Sequence, residues 1–368
     1  MNRKHIGRTP AFPALILLLT AILLCGCADK SAASGAGAVS GGAAAPASGE
    51  NAGGNPAEAG PKIVATIFPE YDWTREILGD LAEESRPELL IDNGVDPHSF
   101  QPGVEDLAKI AECDLLIYVG GTSDAWVEKA LAQTPREGRQ VLRLMDLLGD
   151  RVREEETVEG MEPEEHDHEA HGEGDAHGEG GEDAETPEYD EHVWLSLKNA
   201  VLCCEAIGNK LEEMDPVHAA IYRQNTENYK EKLQSLDKQY TETVSRSSNP
   251  VLLFGDRFPF RYLTEDYGIL YYAAFPGCSA ETEASFETVT FLAGKADELH
   301  LKYVLTIDGV NHRLAETIVE NTADRSQQVL SLNSMQSVSR DDIQSGTGYL
   351  SVMEQNLEVL KKALDVQD

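Results

Sequence analysis

Residues 188–196 read Glu-Tyr-Asp-Glu-His-Val-Trp-Leu-Ser, so a single histidine, His192, stands between an acidic run and the apolar Val193-Trp194-Leu195. The run before it, residues 154–191, holds eighteen Asp or Glu, four histidines (His166, His168, His171 and His177) and no Lys or Arg. Imidazole suits zinc, copper, nickel and iron, and carboxylates add hard oxygen ligands. A solvated His/Asp/Glu tract that passes directly into a packed histidine therefore points to metal handling. Spacings such as His166-x-His168 fit metal capture by the tract itself. The opposing interpretation is a solvated insertion without a role.

The rest of the chain must position that site. Residues 63–68, 88–91 and 114–119 are short apolar runs with the character of strands. Helical spacing occupies 71–81, 104–112 and a segment starting near 123. A helix over 199–211 follows, then one long helical pattern over 215–245. Asp215 is a good N-cap for it and Pro216 suits its first turn. Its apolar positions include Val217, Ile221, Tyr229, Leu233, Leu236, Tyr240 and Val244. The second half alternates again, with strands at 251–254, 269–275, 303–307 and 328–332, helices at 286–299 and 312–320, and a closing helix over 348–364. Strands alternating with helices predict an α/β fold with parallel sheets. The expected architecture is two (β/α) Rossmann-like lobes joined by one long rigid helix, with a metal site in the interlobe cleft. The expected boundaries are a first lobe at 62–212, a linking helix at 213–248 and a second lobe at 249–368.

The N-terminus carries Arg3, Lys4 and Arg8, then an apolar run over 14–24 broken only by Thr20. That length suits a signal-peptide core rather than a membrane span. It ends in Leu24-Cys25-Gly26-Cys27, which resembles a bacterial lipobox. The resemblance implies a signal peptide over 1–26, lipid on Cys27, and a protein anchored at the extracytoplasmic face of a cell membrane. Residues 27–61 are rich in Ala, Gly, Ser and Pro and form a flexible tether. The net charge of −35 argues against nucleic acid, and residues 154–191 supply −18 of it. Cys113, Cys203, Cys204 and Cys278 match no zinc-ribbon or CxxC spacing and read as buried small hydrophobes, with a disulfide left open.

Three blocks taken together resemble a known family: Asp96-Pro97-His98-Ser99-Phe100-Gln101-Pro102, Tyr118-Val119-Gly120-Gly121, and Asp190-Glu191-His192-Val193-Trp194-Leu195. In this order, with the lone linking helix, they look like the zinc/manganese-type solute-binding lipoproteins of ABC importers. The resemblance covers residue 62 to the C-terminus. It implies a monomer that buries a metal between two lobes and delivers it to a membrane permease driven by a cytoplasmic ATPase. It carries over two ligands, His98 and His192. A third family histidine would fall at 253–260, where none occurs, and Asp256 is the nearest substitute. The fourth, acidic place falls near Asn333 and Gln336, which are neutral and weak ligands. Asp308 and, on the 277–283 loop, Glu281 and Glu283 are further acidic candidates. His98, His192 and Asp256 would suit Zn²⁺, and Mn²⁺ on the same set stays open. The role implied for the acidic His-rich loop is zinc collection near the cleft mouth or, alternatively, sensing of high zinc, and its presence tips the choice to zinc.

Two other classes compete. A three-ligand zinc site with an open position is the layout of a hydrolase, although no HExxH is present. An adhesin or structural surface lipoprotein suits the lipobox and tether equally well. Because imidazole must be neutral to ligate, affinity is expected to fall below pH ~6.5.

Overall fold

The computed structural model describes residues 60–162, 188–279, 283–309 and 311–366. The signal segment, Cys27, most of the tether, Glu281 and His166, His168, His171 and His177 lie outside the described residues.

Strand β1 (Ile63–Ala65) is flanked by β2 (Glu88–Leu89) and β3 (Leu115–Tyr118), and β4 (Gln140–Arg143) lies beyond β3, all parallel. Both faces of β1 and β3 are covered, so their side chains are buried without alternation, as parallel strands require. The strand expected over 63–68 stops at Ala65, and a helix, Phe68–Leu78, starts early. The Glu70 carboxylate accepts from the backbone N–H of Thr66 and Ile67, satisfying two donors of that helix start. Pro69 sits in the first turn, where its missing N–H costs nothing. β4 was not expected; its Gln-Val-Leu-Arg sequence is only half-buried at the sheet edge and gives little apolar signal.

The second sheet repeats the plan. Strands β5 (Val251–Arg257), β6 (Leu270–Phe275), β7 (Tyr303–Ile307) and β8 (Gln328–Leu332) are parallel in the order β6-β5-β7-β8. Each sheet reverses its order beside its first strand. In such sheets ligands sit beyond the carboxyl ends of the strands near that reversal.

The long helix is Ala219–Ser245, 27 residues, or ~40 Å. It starts later than Asp215 because residues 216–218 form a turn, which Asp215 closes by accepting from His218 Nδ1 and the Tyr222 hydroxyl. Val217 and Ile221 fall on the solvent side instead of the apolar stripe. The buried stripe is Tyr222, Thr226, Tyr229, Leu233, Leu236, Tyr240 and Val244, three or four residues apart.

The closing helix, Tyr349–Ala363, packs against the long helix, β8 and the first-lobe helix Phe68–Leu78. Trp73 meets Tyr349 edge-on at 5.1 Å, and Asp72 accepts from the Tyr349 backbone N–H at 2.7 Å. The Tyr349 hydroxyl donates to the carbonyl of Trp194 at 2.6 Å, and the Trp194 indole donates to the carbonyl of Ser334 at 2.9 Å. One continuous hydrophobic core therefore runs through both lobes, while a smaller one fills the outer second lobe around Leu253, Phe275, Leu292 and Ile318. The lobes are fixed by this wedge as well as by the long helix, which leaves little freedom for a wide hinge.

Candidate metal centre

His98 sits on a single 3₁₀ turn, Pro97–Ser99, just past β2. Asp96 caps that turn by accepting from the His98 backbone N–H at 3.0 Å, and Pro97 pre-sets its first residue. The other Asp96 oxygen pairs with Arg257 of the second lobe. His192 arrives from the return of the acidic insertion and is fully buried, with Trp194 edge-on at 5.2 Å.

Two adjacent acids orient the two imidazoles. Asp190 Oδ1 accepts from His192 Nδ1 at 2.9 Å and from the His192 backbone N–H at 2.8 Å. Glu191 Oε1 accepts from the Ser123 backbone N–H at 2.8 Å, and the Ser123 hydroxyl lies 2.5 Å from His98 Nδ1. With each Nδ1 engaged in this way, Nε2 of both rings faces inward. Gly121 makes the arrangement fit. Its φ is +90°, and a Cβ there would lie 2.5 Å from the Glu191 carboxylate.

The two Nε2 atoms are 3.3 Å apart. Tetrahedral zinc with Zn–N bonds of ~2.0–2.1 Å sets neighbouring nitrogens ~3.3 Å apart. Gln336 reaches between them from the loop after β8, its Nε2 at 3.1 Å from His98 and 2.9 Å from His192. Its Oε1 is buried and has no hydrogen-bond partner among the described residues. Cys278, just after β6, completes the group, and the ligand atoms of His98, His192 and Cys278 all lie within 4.8 Å of one another. Gly277 allows the approach, since a Cβ there would meet the His192 ring at 3.2 Å and the Phe258 carbonyl at 2.9 Å.

The structure brings His98 and His192 together, with Gln336 from the fourth-ligand place beside them, and leaves Asp256, Asp308, Asn333 and Glu283 outside the group. Asp256 is the main correction. β5 extends to Arg257 with an irregular register after Phe254, and this turns Asp256 toward β7. There it accepts from the Thr306 hydroxyl at 2.6 Å and the Ile307 backbone N–H at 3.3 Å, so it joins strands instead of facing the histidines. Asp308 accepts from Ser334 N, Ser334 Oγ and Ser337 Oγ, and so fixes the turn that carries Gln336. Asn333 accepts from the Met335 N–H at 2.8 Å in the same turn. Met335 is held at φ +62°, a conformation a non-glycine side chain rarely takes, and it is this bend that aims Gln336 inward. Glu283 is exposed and does not belong to the group. Cys278, taken in sequence for a small buried hydrophobe, faces the imidazoles. The four described cysteines are free thiols, with Cys113, Cys203 and Cys204 buried elsewhere.

The base of the acidic insertion is ordered beside the centre. Its two ends pair through Glu155 N to the Glu188 carbonyl at 2.8 Å and Asp190 N to the Arg153 carbonyl at 2.9 Å. Glu155 Oε1 accepts from the Cys278 backbone N–H at 3.0 Å, and the Tyr262 hydroxyl donates to the Asp190 carbonyl at 2.7 Å. The stem thus ties the first lobe to the loop bearing Cys278.

Burial, reinforced by the facing His192, pushes His98 down to about 3. The His98 nitrogen therefore stays free of a proton well below pH 6.5. For the metal-free protein the sign is fixed: the unfolded chain takes up this proton below pH ~6.5, whereas the folded chain does so only near pH 3. Stability contributed at His98 is present above pH ~6.5 and is lost as pH falls toward 3. Melting temperatures of metal-free wild type and His98→Gln between pH 7 and 4 should show the steeper decline in the wild type; parallel curves would contradict this.

Residues 63–363 match the family described as zinc-uptake complex component A, periplasmic. The zinc-binding lipoprotein AdcA of Streptococcus pneumoniae (strain R6) is 31% identical over 303 residues, covering 82% of this chain and 56% of the relative. The chain thus spans about half the length of these AdcA relatives. The high-affinity zinc uptake system protein ZnuA of Bacillus subtilis is 28% identical over 305 residues, covering 83% of this chain and 88% of the relative. The crystal structure of the Zn(II)-bound ZnuA-like domain of S. pneumoniae AdcA superposes with a TM-score of 0.62 at 28% identity, covering 83% of this chain and all of that domain (100%).

Proposed function

The chain belongs to the family of periplasmic zinc-uptake complex components, and from that premise we propose that it is the extracytoplasmic zinc-binding component of an ABC importer. It captures Zn²⁺ in the cleft between its lobes and hands it to a membrane permease powered by a cytoplasmic ATPase. His98 and His192 are the ligands at the heart of the site. The observation that carries this reading is the pair of Nε2 atoms set 3.3 Å apart, each with its other ring nitrogen engaged. That is the spacing a tetrahedral zinc ion would span.

The protein works by capture and release rather than turnover. Gln336 occupies the position next to both histidines where a hydrolase would keep an open place for water. The lobes are held at the cleft rim by the Asp96–Arg257 and Asp92–Arg340 pairs, so metal entry requires local motion of the Cys278 and Gln336 loops. Cys27 is the site of lipidation and holds the protein at the membrane as a monomer. His166, His168, His171 and His177 gather zinc near the cleft.

A competition titration of the full chain against zinc and manganese tests the reading. One zinc per chain should bind tightly and in preference to manganese, and this should survive deletion of residues 163–187. Tight binding that disappears with that deletion would remove the cleft as the zinc site.

A further inference from the structure

We propose that Cys278 and Gln336 complete the zinc site of this chain, giving a donor set of two imidazoles, one thiolate and one amide oxygen. The inference rests on the cleft reading above and identifies its second-lobe half. Two independent observations support it. The Cys278 sulfur lies within 4.8 Å of the ligand nitrogens of both histidines, on a loop that Gly277 lets close against the His192 ring. Separately, Gln336 is 5% exposed, is aimed at both imidazoles, and has an Oε1 with no partner among the described residues. Such an orphaned buried acceptor is costly unless something occupies it.

In the metal-free arrangement the two N–H bonds of the Gln336 amide point to the two Nε2 atoms, so that its hydrogens reach into the space where a cation would sit. Rotating the terminal amide by half a turn puts oxygen at the nitrogen's place, facing that space, and fills the orphan's need. The strained Met335 and the Asp308 contacts hold the glutamine in reach throughout. For the cysteine, ligation exchanges the sulfur–hydrogen bond for a sulfur–zinc bond. The proton leaves to solvent, and no electron is transferred. Tetrahedral zinc with one sulfur at ~2.3 Å requires ~3.6 Å between sulfur and each nitrogen, so the sulfur–nitrogen distances, 4.8 Å at most, need to close by no more than ~1.2 Å.

The consequence is selectivity. A thiolate is a soft donor that suits zinc and is poorly matched to manganese, which prefers carboxylate, carbonyl and water oxygens. Asp256 and Asp308, two of the aspartates considered as second-lobe ligands, are committed to strand β7 and to the Gln336 turn. The site is therefore poor in oxygen and rich in nitrogen and sulfur.

X-ray absorption at the zinc edge tests this on the full chain loaded with half an equivalent of zinc. The wild type should show one sulfur scatterer at ~2.3 Å beside nitrogen or oxygen at ~2.0–2.1 Å. Residues 154–191 contain no cysteine, so the His-rich insertion cannot supply that sulfur. In Cys278→Ser the sulfur shell should vanish and zinc affinity fall at least ~10-fold, the lower end of what even outer-shell changes cost. Manganese affinity should change less. A wild-type shell of nitrogen and oxygen alone, or a sulfur shell that persists in Cys278→Ser, would overturn the assignment. In either case a loss of affinity in His192→Ala would leave the cleft reading standing, and unchanged affinity in His192→Ala would remove the cleft reading too.

Discussion

Replacing His192 with alanine is expected to weaken zinc binding by about a hundredfold. Structural zinc sites bind with roughly 10–16 kcal/mol spread over four ligands, or ~3 kcal/mol each, which corresponds to ~10²-fold in affinity. His192 should lie at the upper end, because the change does more than delete a donor. It leaves Asp190, only 2% exposed, without the imidazole N–H it now accepts. It also opens a hole beside Trp194, which the ring contacts edge-on. His98→Ala should have a similar effect through the facing nitrogen, whereas His312→Ala, at an exposed helix start, should have none. Chelator-competition calorimetry reads these differences directly. A His192→Ala protein within threefold of wild type would take this residue out of the site.

Trp73→Ala should be the most damaging substitution away from the metal. Trp73 is fully buried in the first-lobe helix Phe68–Leu78 and packs edge-on against Tyr349 of the closing helix. Truncating such an indole costs ~3–5 kcal/mol, mostly cavity and lost burial. Its Nε1 has no hydrogen-bond partner among the described residues, so the loss is one of packing. For a chain of this size the melting temperature should drop by roughly 6–10 °C. Tyr349→Phe keeps the ring and removes only the hydrogen bond to the Trp194 carbonyl, so it should cost ~1 kcal/mol. The comparison isolates the wedge between the lobes. If the two variants melted alike, the closing helix would not be what holds the lobes together.

Much of this molecule was legible in its sequence because the decisive residues sit in contiguous blocks. Asp96-Pro97-His98 encodes its own turn: an acidic cap, a proline at the first position and a histidine left projecting. Asp190-Glu191-His192 likewise carries the proposed ligand and its orienting acid together. The alternation of short buried strands and amphipathic helices fixed the α/β class for the same local reason. The second-lobe half of the proposed site was obscured because it depends on shape. Cys278 is an isolated cysteine, and only the close approach at Gly277 shows that it turns to the cleft rather than to a core. Gln336 is a neutral side chain whose importance comes from a left-handed Met335 and from Asp308 holding the turn. Asp256 drew attention as a carboxylate at the end of β5, but the irregular register after Phe254 sends it to Thr306. The start of the long helix was misplaced for a comparable reason: Asp215 caps a turn before the helix, not the helix itself.

The most direct test of a cleft zinc site is anomalous diffraction at the zinc edge from crystals of the protein carrying one equivalent of zinc. The expected result is a single strong peak bonded to Nε2 of both His98 and His192, with Asp190 and Ser123 still holding the opposite ring nitrogens. A peak elsewhere, with both imidazoles unligated, would contradict a metal site between the lobes.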